Sequence, residues 1–153
     1  VLEERSAGAV VYRKDGDVRR YLILKYPAGH WDFPKGNVEK GENEEKTVLR
    51  EICEETGIEQ ASIVKGFKKK IEYYYRRDDG LVHKVVFFYL AKTNETKVKL
   101  SYEHLDYAWL EYDEALQRVS YDNAKSILRE AKKFLDQNDL KRGSKSLDEY
   151  SQL

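Results

Sequence analysis

The stretch from Gly36 to Ile58, GNVEKGENEEKTVLREICEETGI, constrains this chain more than any other, because its spacing of glycines and carboxylates admits few conformations. Gly36 and Gly41 bracket a turn, the Glu42-Asn43-Glu44-Glu45 run favours a helix N-terminus, and Gly57 stands where a C-terminal cap belongs. A loop followed by a helix over residues 43–56 is expected. At about 100° per residue, Val48, Leu49, Ile52 and Cys53 fall on one side and Glu51, Glu54 and Glu55 on an adjoining one. The first group is expected to pack, with Cys53 a small core residue.

Three carboxylates on successive turns, with only Arg50 among them to offset their charge, repel one another and weaken a bare helix. A divalent cation removes that penalty, and hard oxygen donors of this kind suit Mg²⁺ or Mn²⁺, magnesium usually arriving with substrate phosphates. A solvated acidic face is the competing account of such a helix.

The spacing decides between them. Written as G-x5-E-x7-R-E-U-x-E-E-x-G-U, with U a bulky aliphatic, the pattern is met by Gly36, Glu42, Arg50, Glu51, Ile52, Glu54, Glu55, Gly57 and Ile58. The stretch resembles the signature of the Nudix hydrolases. That resemblance implies metal-dependent hydrolysis of a nucleoside diphosphate linked to another group, in an α/β/α sandwich whose mixed sheet supports the signature loop and helix.

With 153 residues the chain suits one domain that needs no staples, and its single cysteine excludes an internal disulfide. Lys plus Arg equals Asp plus Glu at 28 each, so no broad excess of charge is available to hold nucleic acid or an anionic membrane. No apolar run approaches a membrane span and no signal-peptide pattern stands at the start, so a cytoplasmic protein is expected; its oligomeric state is open, with a monomer favoured.

Ala7–Tyr12 and Tyr21–Tyr26, either side of a polar turn, read as a hairpin, and a loop with two prolines leads into the signature. Strand material follows at residues 61–67 and 68–75. The apolar run Val82–Ala91 is expected to be central in its sheet, with a last strand at residues 107–110 and helices at 113–118 and 121–135. The reading divides the chain into a hydrolase domain, residues 1–135, and a polar frayed tail, residues 136–153.

The flanks carry a narrower resemblance. Gly8–Tyr12, His30-Trp31 with Pro34-Lys35-Gly36, Lys84–Ala91, Ser101-Tyr102-Glu103-His104 and Trp109 together look like the asymmetrical diadenosine tetraphosphate hydrolases within that family. Carried over by position, this implies that Glu51, Glu54 and Glu55 bind metal and supply the base, with Glu103 joining from outside the helix and the Gly36 carbonyl a further ligand. Arg50 would hold a carboxylate in place. Lys35 corresponds to a polyphosphate contact and Lys84 to a weaker candidate for one. His30 would stabilise charge at the bridging or leaving oxygen, or orient its loop. Tyr73 and Tyr121 resemble an aromatic pair that sandwiches a base, with Tyr26, Tyr74, Tyr75 and Tyr102 as alternates. The loop departs from animal members at Asp32-Phe33, where they tend to have threonine and proline.

The expected substrate is diadenosine tetraphosphate, split to ATP and AMP. Removal of pyrophosphate from an RNA 5′ end, hydrolysis of another nucleotide such as ADP-ribose, and a non-catalytic nucleotide-sensing module are the alternatives.

Overall fold

The computed structural model describes residues 1–151 and the side chains of residues 1–142. In chain order the elements are β1 (Leu2–Asp15), β2 (Val18–Lys25), β3 (Trp31–Asp32), β4 (Lys35–Asn37), α1 (Glu44–Thr56), β5 (Ala61–Ile63) and β6 (Lys69–Arg77). They continue with β7 (Gly80–Thr93), β8 (Asp106–Leu110), α2 (Tyr112–Arg118) and α3 (Asp122–Ser151).

β1 and β2 form the expected hairpin, with Asp15 opposite Val18 across the turn. The apolar strand β7 runs parallel to β1 from Leu2 opposite Val82 to Tyr12 opposite Lys92, and these two strands form the centre of the sheet. The other described pairs are antiparallel: β2 takes β3 and β8, β1 takes β4, and β7 takes β5 and β6. The sheet is therefore mixed, as expected.

Side chains alternate across these strands and divide the core into two layers. Ala7, Ala9 and Val11 of β1 join Leu22, Leu24, Tyr89 and Ala91 under Val48 and Ile52 of α1. Val10, Tyr21, Ile23, Val86, Phe88 and Leu90 face the other way, against Ala115 of α2 and Ala124, Ile127, Leu128, Ala131 and Leu135 of α3. Helices thus cover both faces of the sheet in an α/β/α sandwich. Among the described residues no helix is long and apolar enough to cross a membrane.

Two expectations are corrected. Residues 136–151 are helical, continuing α3 past the boundary expected at Leu135. This stretch needs no apolar stripe at its start, because Asp136 and Asp139 bind Arg19 of β2 at 3.0 and 2.9 Å and Lys132 meets Asp136 at 2.6 Å. Residues 152 and 153, the last of that expected tail, lie outside the described residues. On α1, Leu49 and Cys53 are exposed, whereas Glu44, Thr47, Glu55 and Thr56 are buried with Val48 and Ile52. The buried face is rotated toward the carboxylates, because β4 and the segment around Ser101 pack along that side of the helix.

β4 lies tight against β1, with Lys35 opposite Gly8. A Cβ at Gly8 would sit 2.5 Å from the Pro34 carbonyl oxygen and 2.6 Å from the Lys35 Cβ. Backbone cannot swing aside as a side-chain end can, so Gly8→Ala is expected to cost about 1–3 kcal/mol. The measurement is a denaturant melt, in which the midpoint should fall at unchanged m-value; a wild-type midpoint would show that the strands separate freely.

Candidate active site

Local signals set α1 firmly in place before any ligand is considered. Asn43 caps its start, the side-chain oxygen accepting from the Lys46 amide at 2.8 Å, and Gly57, at φ 75°, closes its end by donating to the Cys53 carbonyl at 2.8 Å. The following carbonyls are taken by another segment: Lys99 donates to Thr56 and Ser101 to Glu55. That docking delivers Glu103 to the helix. A cleft of about 530 Å³ results, lined by Gly36, Glu51, Glu54, Glu55, Glu103 and His104, with Lys35, Arg50 and Tyr26 among its other walls.

Arg50 organises the carboxylates. Its guanidinium grips Glu42 in a two-point contact at 2.6 and 3.0 Å, the fork geometry of arginine on carboxylate. Its remaining donors reach Glu51 at 2.8 Å, Glu54 at 3.1 Å and the Asn37 carbonyl at 3.0 Å. Held this way, the Glu42 carboxyl is lowered to about 2, chiefly by its hydrogen bond to Arg50, and the Arg50 pKa is raised.

The opposite pressure acts deeper in the cleft. Glu55 is only 5% exposed, and burial together with the nearby Glu51 charge pushes its pKa up to about 9. Burial also raises Glu51. His104 lies beside them, its Nδ1 3.0 Å from the Ser101 hydroxyl and its Nε2 3.9 Å from Glu55; burial lowers its pKa, favouring the neutral ring.

Among the described residues no three His, Cys, Asp or Glu side chains are gathered into a ready coordination sphere. The residues nevertheless fit a hard divalent cation. Every acidic donor offers oxygen, and the buried like charges at Glu51 and Glu55 are those a cation would offset. Magnesium keeps several waters and shares substrate phosphates, so it does not require a closed cage of side chains.

A second cavity of about 580 Å³ adjoins this cleft, lined by His30, Asp32, Lys35, Ile71, Tyr73, Phe88 and Tyr121 and by the start of α3. Of the sequence candidates, His30, Lys35, Tyr73 and Tyr121 are brought together here. Lys35 lines both cavities. His30 stands against Tyr121 with centroids 5.2 Å apart and stacks on Tyr26 at 4.9 Å, while Tyr26 meets His104 edge-on at 4.6 Å. An aromatic row thus runs from one cavity to the other.

None of the alternate tyrosines lines this second cavity. Tyr74 stacks on His83, Tyr75 bonds Glu4, Tyr102 is exposed, and the Tyr26 hydroxyl donates to the Phe33 carbonyl. Lys84 lines neither cavity; its ammonium is held by Glu4 and by the Asn37 side chain, each at 3.0 Å.

Three residues named in the sequence for other reasons take places in the site that their spacing does not predict. Asp32 is buried in the second cavity and binds Lys35, His104 sets its Nε2 3.9 Å from Glu55, and Tyr26 joins the two histidines. For Asp32 a signal existed in its departure from the animal pattern. For Tyr26 and His104 the relation is purely tertiary.

The NUDIX domain model matches residues 2–131. The asymmetrical bis(5′-nucleosyl)-tetraphosphatase of Rattus norvegicus is 36% identical over 143 residues, covering 86% of this chain and 95% of that protein. An RNA pyrophosphohydrolase from Sulfurovum sp. (strain NBC37-1) is 28% identical over 117 residues, covering 69% of this chain and 73% of the relative. Among solved structures, a C. elegans Ap4A hydrolase binary complex superposes with a TM-score of 0.76 at 34% identity, covering 87% of this chain and 98% of the other. With the signature complete and its carboxylates gathered in one cleft, the chain belongs to the NUDIX domain family and is a pyrophosphohydrolase enzyme.

Proposed function

We propose that the enzyme hydrolyses dinucleoside polyphosphates, splitting diadenosine tetraphosphate to ATP and AMP with Mg²⁺, or Mn²⁺, as cofactor. The observation that carries this reading is the position of Lys35, a residue that lines both a carboxylate cleft and an aromatic cavity. A substrate that fits both must join an anionic chain to a flat base. The similarity to the rat tetraphosphatase supports the same substrate class.

Glu51, Glu54, Glu55 and Glu103, with the Gly36 carbonyl, would hold the metal, which when bound neutralises phosphate charge and acidifies a water. The chain's own groups do the rest. Arg50 orients Glu51 and Glu54, Lys35 meets the polyphosphate as a point charge, and Tyr73 and Tyr121 receive the base by stacking, an interaction of about 1–3 kcal/mol. Glu51 or Glu103 takes the proton from the attacking water. His30, between Tyr121 and Tyr26, fits the orienting role better than direct contact with a leaving oxygen, since its ring is committed to stacking. Lys84 acts by holding Asn37 beside Gly36.

RNA would need a basic track for several nucleotides. Three of the four basic residues of β6 are paired with carboxylates, Lys69 with Glu130, Lys70 with Glu72 and Arg77 with Glu4 and Asp79. The test is separate Mg²⁺ reactions with diadenosine tetraphosphate, ADP-ribose and triphosphorylated RNA, with products resolved chromatographically. ATP and AMP should appear in preference to the other products. Preferential pyrophosphate release from RNA would overturn the substrate assignment, and inertness toward all three would overturn the catalytic reading.

A further inference from the structure

We propose that Asp32 is a positioning residue: it fixes the Lys35 ammonium at the seam between the two cavities and so sets which phosphate of the chain lies against the carboxylates. This rests on the dinucleoside polyphosphate reading above.

In the short strand β3, alternation sends Trp31 and Asp32 to opposite faces. Asp32 is thereby buried, at 3% exposure, in the wall of the aromatic cavity. One carboxylate oxygen accepts from the Phe33 amide at 2.7 Å and the other from the Lys35 ammonium at 2.9 Å.

Lys35 is fixed from its other end as well. Its backbone lies opposite Gly8, where there is no space for a Cβ, and its amide donates to Glu55 at 3.2 Å. The residue therefore spans the seam, its amide bonded to Glu55 of the carboxylate cleft and its ammonium to Asp32 of the aromatic cavity. A lysine on a flexible four-carbon stem would follow any phosphate that entered. Tethered to Asp32, it is a point charge at a set place, with two of its three N–H donors free of Asp32 for phosphate oxygens.

Asp32 also contributes its own charge. A buried carboxylate in the wall of the aromatic cavity repels phosphate there, so the base occupies that cavity and the anionic chain stays on the far side of Lys35. Together the two charges mark where base ends and phosphate begins. Without the marker the chain can slip by one phosphate, and the same water then splits diadenosine tetraphosphate into two ADP instead of ATP and AMP. Both outcomes consume one water and break one phosphoanhydride bond.

The experiment compares the full chain with Asp32→Asn, Lys35→Gln and the double variant in Mg²⁺, reading KM, kcat and the ADP fraction among the products of diadenosine tetraphosphate. Asp32→Asn keeps size and the acceptor for the Phe33 amide while removing the charge. It should raise KM about tenfold, as expected for losing a charge-assisted contact, and release ADP that the wild type does not. Lys35→Gln should leak ADP as well, and the penalty of the double variant should fall well short of the product of the two single ones, because Asp32 acts largely through Lys35. Should Asp32→Asn fail to melt near the wild-type temperature, the ADP fraction from Lys35→Gln reads the same pair from its other end. Wild-type KM with no ADP, or penalties that multiply in the double variant, would overturn the inference while leaving the substrate reading intact. A wild-type enzyme that leaves the dinucleotide uncut would overturn both.

Discussion

Glu55→Gln should inactivate the enzyme and, in metal-free buffer above neutral pH, make it more stable. Both effects follow from one carboxyl buried among like charges. Glutamine keeps the acceptor for the Lys35 amide but carries no charge, so it cannot serve a cation; turnover should fall by about two to three orders of magnitude, the range for deleting one preorganised charge-stabilising group. Stability moves the other way because the Glu55 pKa stands near 9 in the folded protein against an ordinary value of 4.5. Below the ordinary value both folded and unfolded chains hold the proton. As the pH rises, the unfolded chain releases it first, and wild-type stability falls until the folded carboxyl ionises too, near pH 9. The variant escapes that loss, so its advantage should be absent at acid pH, grow through neutrality and level off near pH 9, reaching on the order of 10 °C in melting temperature. Added Mg²⁺ should raise the wild-type melting temperature more than that of the variant. A variant less stable than wild type in metal-free buffer at pH 8 would show that Glu55 is well solvated or otherwise compensated.

The same residue shows where reading from sequence stops. Glu51, Glu54, Glu55 and Arg50 were legible because their spacing is local: a helix fixes their relation whatever the rest of the chain does. The face of α1 that packs was not. Hydrophobic periodicity placed Leu49 and Cys53 inward, yet both are exposed while Glu55 and Thr47 are buried, since β4 and the Ser101 segment settle against the carboxylate side. Periodicity locates an apolar stripe and is blind to polar groups buried for a task. The continuation of α3 through Ser151 escaped for the converse reason: its anchoring by Arg19 is ionic and comes from a strand more than a hundred positions away. The central strand β7 was plain from composition, but the choice of Tyr73 and Tyr121 among 12 tyrosines came from resemblance, and only the fold sets them on one cavity with His30 and Lys35. Asp32 stood in view as a departure from the animal pattern, and its ion pair with Lys35 gives that departure a physical content.

Gly36→Ala should cost activity far more than it costs stability. A Cβ at this position would fall 2.1 Å from the Glu51 carboxylate carbon and from one of its oxygens. The clash is with the tip of a flexible side chain, so the fold can accommodate it by moving that tip, at about 1 kcal/mol. Glu51 then leaves the place where Arg50 holds it at 2.8 Å, and a group that must bind metal or take a proton is no longer aimed into the cleft. Because misplacement by about 1 Å costs on the order of 100-fold in rate, kcat should drop by at least that factor while the denaturation midpoint moves little. Gly8→Ala is the informative contrast, since its Cβ would meet the Pro34 carbonyl and the loss should appear first in stability. If Gly36→Ala kept activity within a few fold of wild type, the position of Glu51 beside the loop would be incidental; if it unfolded as readily as Gly8→Ala, the loop itself would be as unyielding as the β1–β4 pair.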